Sequence, residues 1–452
     1  MGFIFEEEHF LIRMFNRVRK KDYSGNVGIV LKNSVYQFLT TAVSKIGALI
    51  VTVILARMLM PEMFGLYTLS VSTILIFATF SDLGIGDAAV RFISKEAGKN
   101  NRKKAGEYFR YLLKMKLFLI FLMSFLLLIL AKFIAGNFYN KPMFLALLAG
   151  SLYIFFSGLA SFFQSVLQAT NNFRIILYKE ILFQSVRLIL IPLFILFLLP
   201  HISDSDLILS YLVSILSVAF LFSFVLMFFF FKKNVKYLRV KGSLSKKQKN
   251  VLLKFVTAIS ATVFSGVFFS YIDTIMLGVY LSSEFIGYYR AASIFIVSGA
   301  PLITFSAAFL PIFSRLKDKS LEYLFNKSVT TTLLFSLLGV VFVVIFSPLL
   351  ISLVFGADYS SSVNILRIFS LLLISIPVIS LYSAYFSSRG LPLVVTKTLV
   401  ISTFLNIFLN YILISTLVNY NPLWAVYGAT FATIFSNWFY MFTLIHSRKK
   451  FI

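Results

Sequence analysis

The chain has 452 residues, of which 59% are hydrophobic and 13% are charged, and it contains no cysteine. This composition excludes an ordinary soluble globular protein, and the missing cysteines exclude disulfides, thiol nucleophiles and cysteine-ligated metal sites. The formal net charge of +25 admits nucleic acid or a membrane as the partner, and the distribution of the basic residues decides between them.

Apolar segments recur along the chain, each of about 20 residues, the length that a helix needs to cross a bilayer. They cover residues 35–58, 65–85, 116–138, 143–167, 181–199, 207–231, 255–281, 286–310, 329–355, 365–386, 398–417 and 424–445. The sequence therefore predicts an all-α integral membrane protein with about 12 transmembrane helices.

Lysine and arginine are concentrated in the connections that fall on one side of such a protein. These basic stretches lie within residues 13–21, 91–114, 232–254, 315–327 and 448–450. Connections on the opposite side, such as residues 201–206 and 419–423, have none. The positive-inside rule then places both termini in the cytoplasm, and nucleic acid is not needed to explain the charge.

The basic stretch in the middle of the chain divides the predicted helices into two groups of six. We predict a cytoplasmic amphipathic segment at residues 1–34, an N-terminal lobe at 35–231, a basic cytoplasmic linker at 232–254, a C-terminal lobe at 255–446 and a cytoplasmic tail at 447–452. An ordinary cytosolic lead-in is the alternative for the first segment.

A sequence repeat relates the two groups. Residues 52–67 read TVILARMLMPEMFGLY and residues 274–289 read TIMLGVYLSSEFIGYY, each at the turn between two apolar segments. The identical pairs are Thr52 and Thr274, Leu55 and Leu277, Leu59 and Leu281, Glu62 and Glu284, Gly65 and Gly287, and Tyr67 and Tyr289. Because six crossings return the chain to its starting side, we expect two six-helix lobes related as parallel repeats around a central cavity.

Polar residues at helical spacing mark the faces that avoid lipid. The first predicted helix carries such a stripe around Lys45, and the seventh carries another that includes Ser270. The stripe on the first helix includes Gln37, Thr41, Ser44 and Thr52. Helix packing through small and hydroxylated residues is the alternative for one stripe, whereas stripes in both lobes favour a shared cavity.

Cationic side chains inside the predicted spans are candidates for binding an anion. A charge near the bilayer centre costs about 3 kcal/mol, so each needs a partner or water. Lys45 lies near the middle of the first helix, Arg290 near the start of the eighth, and Arg187 within the fifth. Arg57 lies beyond Lys45 on the first helix and extends the series outward. Snorkelling to the membrane surface is the alternative for Arg187 and Arg57.

Two acidic side chains inside the spans have a different predicted use. Asp273 and Arg290 flank the tight turn between the seventh and eighth helices, where they could form an ion pair. Asp273 and Asp82 are also the candidates for a proton or sodium site if transport is coupled to a cation.

No catalytic signature is present in the sequence. There is no glycine-rich phosphate loop, and His9, His201 and His446 lack the spacing of metal ligands. We therefore expect neither an enzyme nor a bound cofactor or metal.

Three stretches carry a family resemblance. The first comprises Leu59, Pro61, Glu62, Phe64, Gly65, Tyr67, residues 82–84 and residues 91–93; the second comprises residues 273–277, Glu284, Gly287, Tyr289, residues 291–292 and 311–315; the third is residues 355–367. Together they resemble the polysaccharide and lipid-linked oligosaccharide flippases of the multidrug/oligosaccharidyl-lipid/polysaccharide exporter superfamily. The resemblance implies two bundles around a cavity that opens alternately to each side of the membrane.

The same resemblance implies the cargo. Relatives carry a polyprenyl or dolichyl (pyro)phosphate with attached sugars, bound by cations on the first, second and eighth helices. Here the first helix supplies Lys45 and the eighth supplies Arg290, whereas the second has no basic residue within its span. The implied partners are the lipid-linked glycan, membrane lipids and glycosyltransferases or a polymerase of the same pathway, in the cytoplasmic membrane.

Two other functions remain open at this point. A cation-coupled multidrug antiporter of the same superfamily shares the architecture and would use Asp273 or Asp82 as its ion site. A membrane scaffold without transport activity is the third possibility.

Overall fold

The computed structural model describes residues 25–235, 238, 242–303 and 318–449, and these are almost entirely helical, with no strand among them. The predicted amphipathic segment before residue 25, the basic residues 13–21 and the motif at 311–315 lie outside the described residues, as does part of the linker. The helices are α1 (Gly25–Phe80), α2 (Ile85–Gly98), α3 (Arg102–Lys132), α4 (Phe144–Ala169), α5 (Phe173–Leu193), α6 (Ser205–Asn234), α7 (Lys246–Tyr280), α8 (Ser283–Ile303), α9 (Asp318–Val354), α10 (Ser362–Phe369), α11 (Leu372–Ser388), α12 (Pro392–Leu417) and α13 (Pro422–Lys449).

The predicted membrane spans correspond to these helices. In the described chain, 9 helical stretches are long and apolar enough to cross a membrane. The first, Lys32–Phe80, is 49 residues long and contains the predicted span 35–58 and the predicted span 65–85 up to residue 80. Helix α8 covers the predicted span 286–310 as far as residue 303, where the described residues pause, and α13 covers the predicted span 424–445. The prediction of an all-α multi-pass membrane protein is confirmed.

The first two crossings are arms of one kinked helix. Met60 adopts φ 60° and ψ 167° inside α1, and Pro61 follows it. Proline cannot donate the hydrogen bond that would continue the helix, but its fixed φ suits the first turn of a new one. We refer to the parts before and after Met60 as the first and second arms of α1.

Short helices between the crossings were not predicted from the apolar pattern. Helix α2 buries one face, including Ile85, Ala89 and Phe92, while Asp87 and Arg91 are exposed. This amphipathic helix follows the second arm of α1 after two residues with positive φ, Leu83 and Gly84. The predicted span 365–386 is likewise divided into α10 and α11.

The two halves share an apolar core. Val51 and Phe64 in α1 belong to the same buried cluster as Ile286 in α8 and Phe355 after α9. A second cluster around Phe109 and Phe162 lies mainly in the first half and includes Val256 of α7, and a third, around Phe325 and Tyr385, lies in the second half. Apolar contact thus joins the halves, and the site described next lies where they meet.

Candidate functional site between the two halves

The repeated turns contact each other across the two halves. A Cβ atom added at Gly65 would lie 1.7 Å from the Ser283 carbonyl oxygen, and one added at Gly287 would lie 2.2 Å from the Pro61 carbonyl oxygen. Pro61 and Ser283 occupy equivalent positions in the repeat, so the two contacts are related by its pseudo-symmetry. Only glycine allows backbones to approach so closely, which explains why both copies of the repeat have glycine here.

On each side of this contact, a basic side chain of the first half donates hydrogen bonds to the last carbonyl oxygens of a helix in the second half. Lys141, between α3 and α4, donates from Nζ to the carbonyl oxygens of Gly278 and Leu281, each at 2.8 Å. These carbonyls end α7, where a helix carries partial negative charge. Burial lowers the pKa of the Lys141 ammonium below its usual value.

Arg57 makes the corresponding contact with α9. Its Nε donates to the Val354 carbonyl oxygen at 2.8 Å, and its terminal nitrogen donates to that of Leu353. Tyr359 donates from its hydroxyl to the Ala56 carbonyl oxygen at 2.8 Å. In this conformation Arg57 therefore joins the halves at the ends of their helices, and does not lie with the other predicted anion-binding residues.

The polar stripe on the first arm of α1 is accessible at its N-terminal half. Gln37, Thr41 and Lys45 are exposed, Ser44 and Thr52 are half-buried, and Ser270 on α7 is exposed. A different face of the arm exposes Ile46 and Ile50, which suit lipid tails. The first arm of α1 therefore exposes two separate faces, one polar and one apolar.

A hydrogen-bond network orients Arg187 beside this stripe. Arg187 donates to Gln184 Oε1 at 3.2 Å, and Gln184 Nε2 donates to Glu180 Oε1 at 2.8 Å and to the Ser44 carbonyl oxygen at 3.4 Å. Glu180 also pairs with Lys179 at 3.1 Å. Because Lys179 balances the charge of Glu180, the network leaves the charge of Arg187 largely uncompensated.

Arg187 and Arg290 converge from opposite halves of the protein. Tyr67, on the second arm of α1, interacts electrostatically with both guanidinium groups. Both arginines are half-buried, and neither forms an ion pair within the described parts of the chain. The Arg187 Nε atom is buried and has no hydrogen-bond partner there. Arg187 thus places a cation beside the second crossing, whose own span has no basic residue.

Asp273 does not pair with Arg290, contrary to one of the sequence predictions. One of its carboxylate oxygens accepts from the hydroxyls of Tyr289 and Thr433, each at 2.7 Å, and the other accepts from Asn410 Nδ2 at 2.6 Å. Tyr289 and Arg290 are neighbours on α8 and so point about 100° apart around the helix axis. When Tyr289 faces Asp273, Arg290 faces elsewhere.

Unpaired amide oxygens accompany Asp273. Asn406 and Asn410 are fully buried one turn apart on α12, and Asn410 Nδ2 also donates to the Asn406 carbonyl oxygen at 2.9 Å. The side-chain oxygens of both asparagines are buried without hydrogen-bond partners in the described structure. A carboxylate with amide and hydroxyl oxygens is a donor set suited to a hard cation.

Asp82 has a partner that the sequence analysis did not name. Lys116 on α3 is fully buried and donates to Asp82 Oδ1 at 2.5 Å, while the Asp82 side chain remains 29% exposed. The adjacent Gly84 packs against Ile259 of α7. Asp82 thus fixes the end of α1 to α3 near a contact with the second half.

Several of these polar residues were absent from the sequence-based set. Lys179 and Glu180 immediately precede a predicted span, and Lys116 begins another, so all three looked like membrane-surface residues. Gln184 and Thr433 are polar residues inside spans, and helical spacing alone gave no reason to single them out. Their positions become informative only when the helices that face them are known.

Solved structures of transporters share this fold. An inward-facing multidrug resistance MATE family transporter of the MOP superfamily has a TM-score of 0.69 and 14% identity, with 91% of this chain and 97% of that chain covered. The lipid II flippase MurJ, in an inward closed conformation, has a TM-score of 0.67 and 18% identity, with 90% and 87% covered. An outward-facing MATE family transporter has a TM-score of 0.63 and 15% identity, with 94% and 95% covered. At these identities the likeness shows the fold, which is that of MOP-superfamily transporters.

A search of curated protein sequences gives no significant match. The polysaccharide biosynthesis protein family matches residues 30–317. This match covers more than half of the chain, including the first repeat, the second repeat and both converging arginines. The chain therefore belongs to the polysaccharide biosynthesis protein family.

Proposed function

We propose that the protein is a flippase that moves polyprenyl- or dolichyl-(pyro)phosphate-linked oligosaccharides across the cytoplasmic membrane, for the synthesis of a surface polysaccharide or glycoprotein. The observation that carries this proposal is the convergence of Arg187 and Arg290, from opposite halves, on Tyr67. Two uncompensated guanidinium groups inside a membrane protein require an anion or water. Family membership and the fold shared with a lipid II flippase support a lipid-linked glycan as the source of that anion.

The chemistry of this cargo matches the two kinds of exposed surface. Guanidinium groups bind phosphate through paired hydrogen bonds, and Arg187 and Arg290, both half-buried, have no carboxylate partner within the described parts of the chain. The exposed Lys45, with Thr41 and Gln37, offers further donors and acceptors to phosphate and sugar hydroxyls. The lipid tail would remain in the bilayer.

Alternating access supplies the mechanism. In the conformation described here, Gly65 and Gly287 hold the repeated turns together, and Lys141 and Arg57 cap helices of the other half. Separation of these contacts would open the outer side, as the lobes at residues 35–231 and 255–446 rock about their interface. Because the two repeats are related by pseudo-symmetry, their contacts would break together.

The proposed orientation follows from charge. Both termini and the linker at residues 232–254 would lie in the cytoplasm, where the anionic leaflet attracts lysine and arginine. Glycosyltransferases that complete the glycan on that side, or a polymerase that uses it on the other, are the proposed partners.

Asp273 is the proposed site for a coupling cation. Its carboxylate, with the buried and unpartnered amide oxygens of Asn406 and Asn410, would bind sodium or a proton. This arrangement is also the observation that favours the alternative function, a cation-coupled antiporter of small molecules. Asp82 is the weaker candidate because Lys116 already neutralises it.

Deletion of the gene distinguishes the flippase from the antiporter. Under the flippase proposal, deletion of the gene leaves lipid-linked glycan accumulated on the cytoplasmic leaflet, measured by its accessibility to a membrane-impermeant glycosidase. Unchanged glycan accessibility together with altered drug tolerance would instead establish the antiporter. Lys45→Ala tests the exposed stripe: flipping should be lost at normal protein level, and Lys397→Ala, at an exposed lysine of α12, is the matched control.

A further inference from the structure

A cavity separate from the site between the halves lies at one end of the first half. It has a volume of ≈ 550 Å³ and lies between the start of α1, the connection from α4 to α5, and the end of α6. Among the described residues that line it, Lys32 and Arg174 are basic and none is acidic. This described part of the wall therefore carries an excess of positive charge.

The position of the cavity separates it from the converging arginines. Arg174 is the second residue of α5, and Arg187 is 13 residues further along the same helix (187 − 174), a distance of about 20 Å along the axis. The connections that border the cavity lie on the side that the distribution of charge assigns to the cytoplasm. It is thus placed near the level of the lipid headgroups of the cytoplasmic leaflet.

Contacts among the lining residues hold its polar groups in place. Arg174 donates from Nε to the Tyr178 hydroxyl at 2.7 Å, and its guanidinium carbon lies 5.2 Å from the Tyr178 ring centroid. Asn33 Nδ2 donates to Asn171 Oδ1 at 3.1 Å, which joins α1 to the connection before α5. Asn171 has a φ of 59°, a left-handed conformation that asparagine tolerates. The guanidinium is thus oriented before any ligand arrives.

The unoccupied donors of Arg174 indicate the ligand chemistry. Its terminal nitrogens have no hydrogen-bond partner among the residues that the structure describes, and they form the fork that binds two oxygens of a phosphate. Lys32 supplies a second positive charge, and Tyr36 and Asn172 add polar groups to the wall.

One wall of the cavity is apolar. Phe230 and Ile175 line it beside the polar residues. A cavity with cations on one wall and apolar side chains on another suits a molecule whose phosphate is attached to a hydrocarbon.

We propose that this cavity binds the phosphate group of a lipid in the cytoplasmic leaflet. The site is independent of the proposed transport pathway, and its occupation would tie the start of α1, the α4–α5 connection and α6 to the membrane surface. A soluble phosphate ester presents the same anion without the hydrocarbon, so the test distinguishes these two sources.

Binding is measured on the full-length protein purified in detergent, by native mass spectrometry with added lipid. The probes are phosphatidylglycerol and dioleoylglycerol, which lacks phosphate, and glycerol 3-phosphate is the soluble competitor. We expect Arg174→Gln and Lys32→Gln each to weaken retention of phosphatidylglycerol by about 10-fold and to leave retention of dioleoylglycerol unchanged. Tyr178→Phe, which leaves the guanidinium charged but unanchored, should have a smaller effect in the same direction.

Lys397→Gln removes an exposed lysine near the start of α12 and serves as the matched control, with retention unchanged. Displacement of the lipid by glycerol 3-phosphate at similar concentration would show that the cavity recognises phosphate from either source, whereas resistance to it identifies the lipid. Retention of phosphatidylglycerol by the Arg174 and Lys32 variants at the level of the unmodified protein would overturn the proposal.

Discussion

Replacement of Gly65 by alanine is expected to open the contact between the repeated turns of the two halves. The added Cβ would lie 1.7 Å from the Ser283 carbonyl oxygen, 2.7 Å from the Ser283 carbonyl carbon and 2.9 Å from the Gly287 nitrogen. All three atoms are backbone, so no side-chain rotation relieves the clash. The halves must therefore separate locally.

The size of the effect follows from these distances. Real Cβ contacts essentially never fall under 3.0 Å, so the Ser283 carbonyl must move by at least 1.3 Å (3.0 − 1.7). Overpacking of this kind costs about 1–3 kcal/mol. If the cost falls only on the closed form, the equilibrium shifts toward the open form by about 5- to 150-fold.

Spin labels can report this shift because the chain contains no cysteine. His201→Cys and Tyr420→Cys, at exposed positions in different halves, would carry the spin labels for distance measurement by pulsed electron paramagnetic resonance. Gly65→Ala should increase the population with the longer separation. Gly136→Ala is the matched control, since an added Cβ at Gly136 meets nothing within 4 Å. An unchanged distance distribution in Gly65→Ala would refute the role assigned to the repeat.

Three further predictions concern the contacts around this interface. Burial lowers the pKa of Lys141, so the closed form binds this proton less tightly than an open form in which the side chain is hydrated. Raising the pH from about 7 to about 10 should therefore favour the closed form. The spin-label distances should report this shift, and Lys141→Gln should abolish its dependence on Lys141. Lys116→Met leaves the Asp82 carboxylate without its partner and should lower the free energy of unfolding by about 1–3 kcal/mol, with part recovered when Asp82→Asn is added; full stability of the single variant in denaturant titration would contradict the pairing. Met60→Gly relieves a backbone conformation that costs about 1–3 kcal/mol for residues other than glycine and should raise the melting temperature, whereas a lower one would argue against that conformation.

Hydrophobic length and the repeat were sufficient to predict most of the architecture. Each span needs a continuous apolar run, so segments such as residues 143–167 and 207–231 are identifiable one at a time. The amphipathic helix α2 was missed because its length and polarity satisfy no such rule. The turn around Gly65 and Gly287 was also identified, but a turn in sequence does not reveal that its two copies touch.

The polar contacts were harder to predict because their partners are distant in sequence. Asp273 receives hydrogen bonds from residues 137 and 160 positions away, Asn410 and Thr433, whereas the sequence pointed to the nearby Arg290 as its partner. Hydropathy also treats each charge separately, and so it placed the paired Lys179 and Glu180 outside the membrane. Single charges inside spans, such as Arg187 and Lys45, were visible for the same reason.

The proposed transport function depends on Arg187 and Arg290 together binding the anionic group of a lipid-linked glycan. Its most direct test is the rate at which the reconstituted protein flips a polyprenyl-pyrophosphate-linked oligosaccharide in vesicles, compared among Arg187→Gln, Arg290→Gln and the control Lys397→Gln. Loss of a charge-assisted hydrogen bond, worth about 1.5–3 kcal/mol, predicts flipping at least about 10-fold slower in either arginine variant and unchanged in the control, with partial activity in Arg290→Lys. Flipping at the unmodified rate in both arginine variants would contradict the claim.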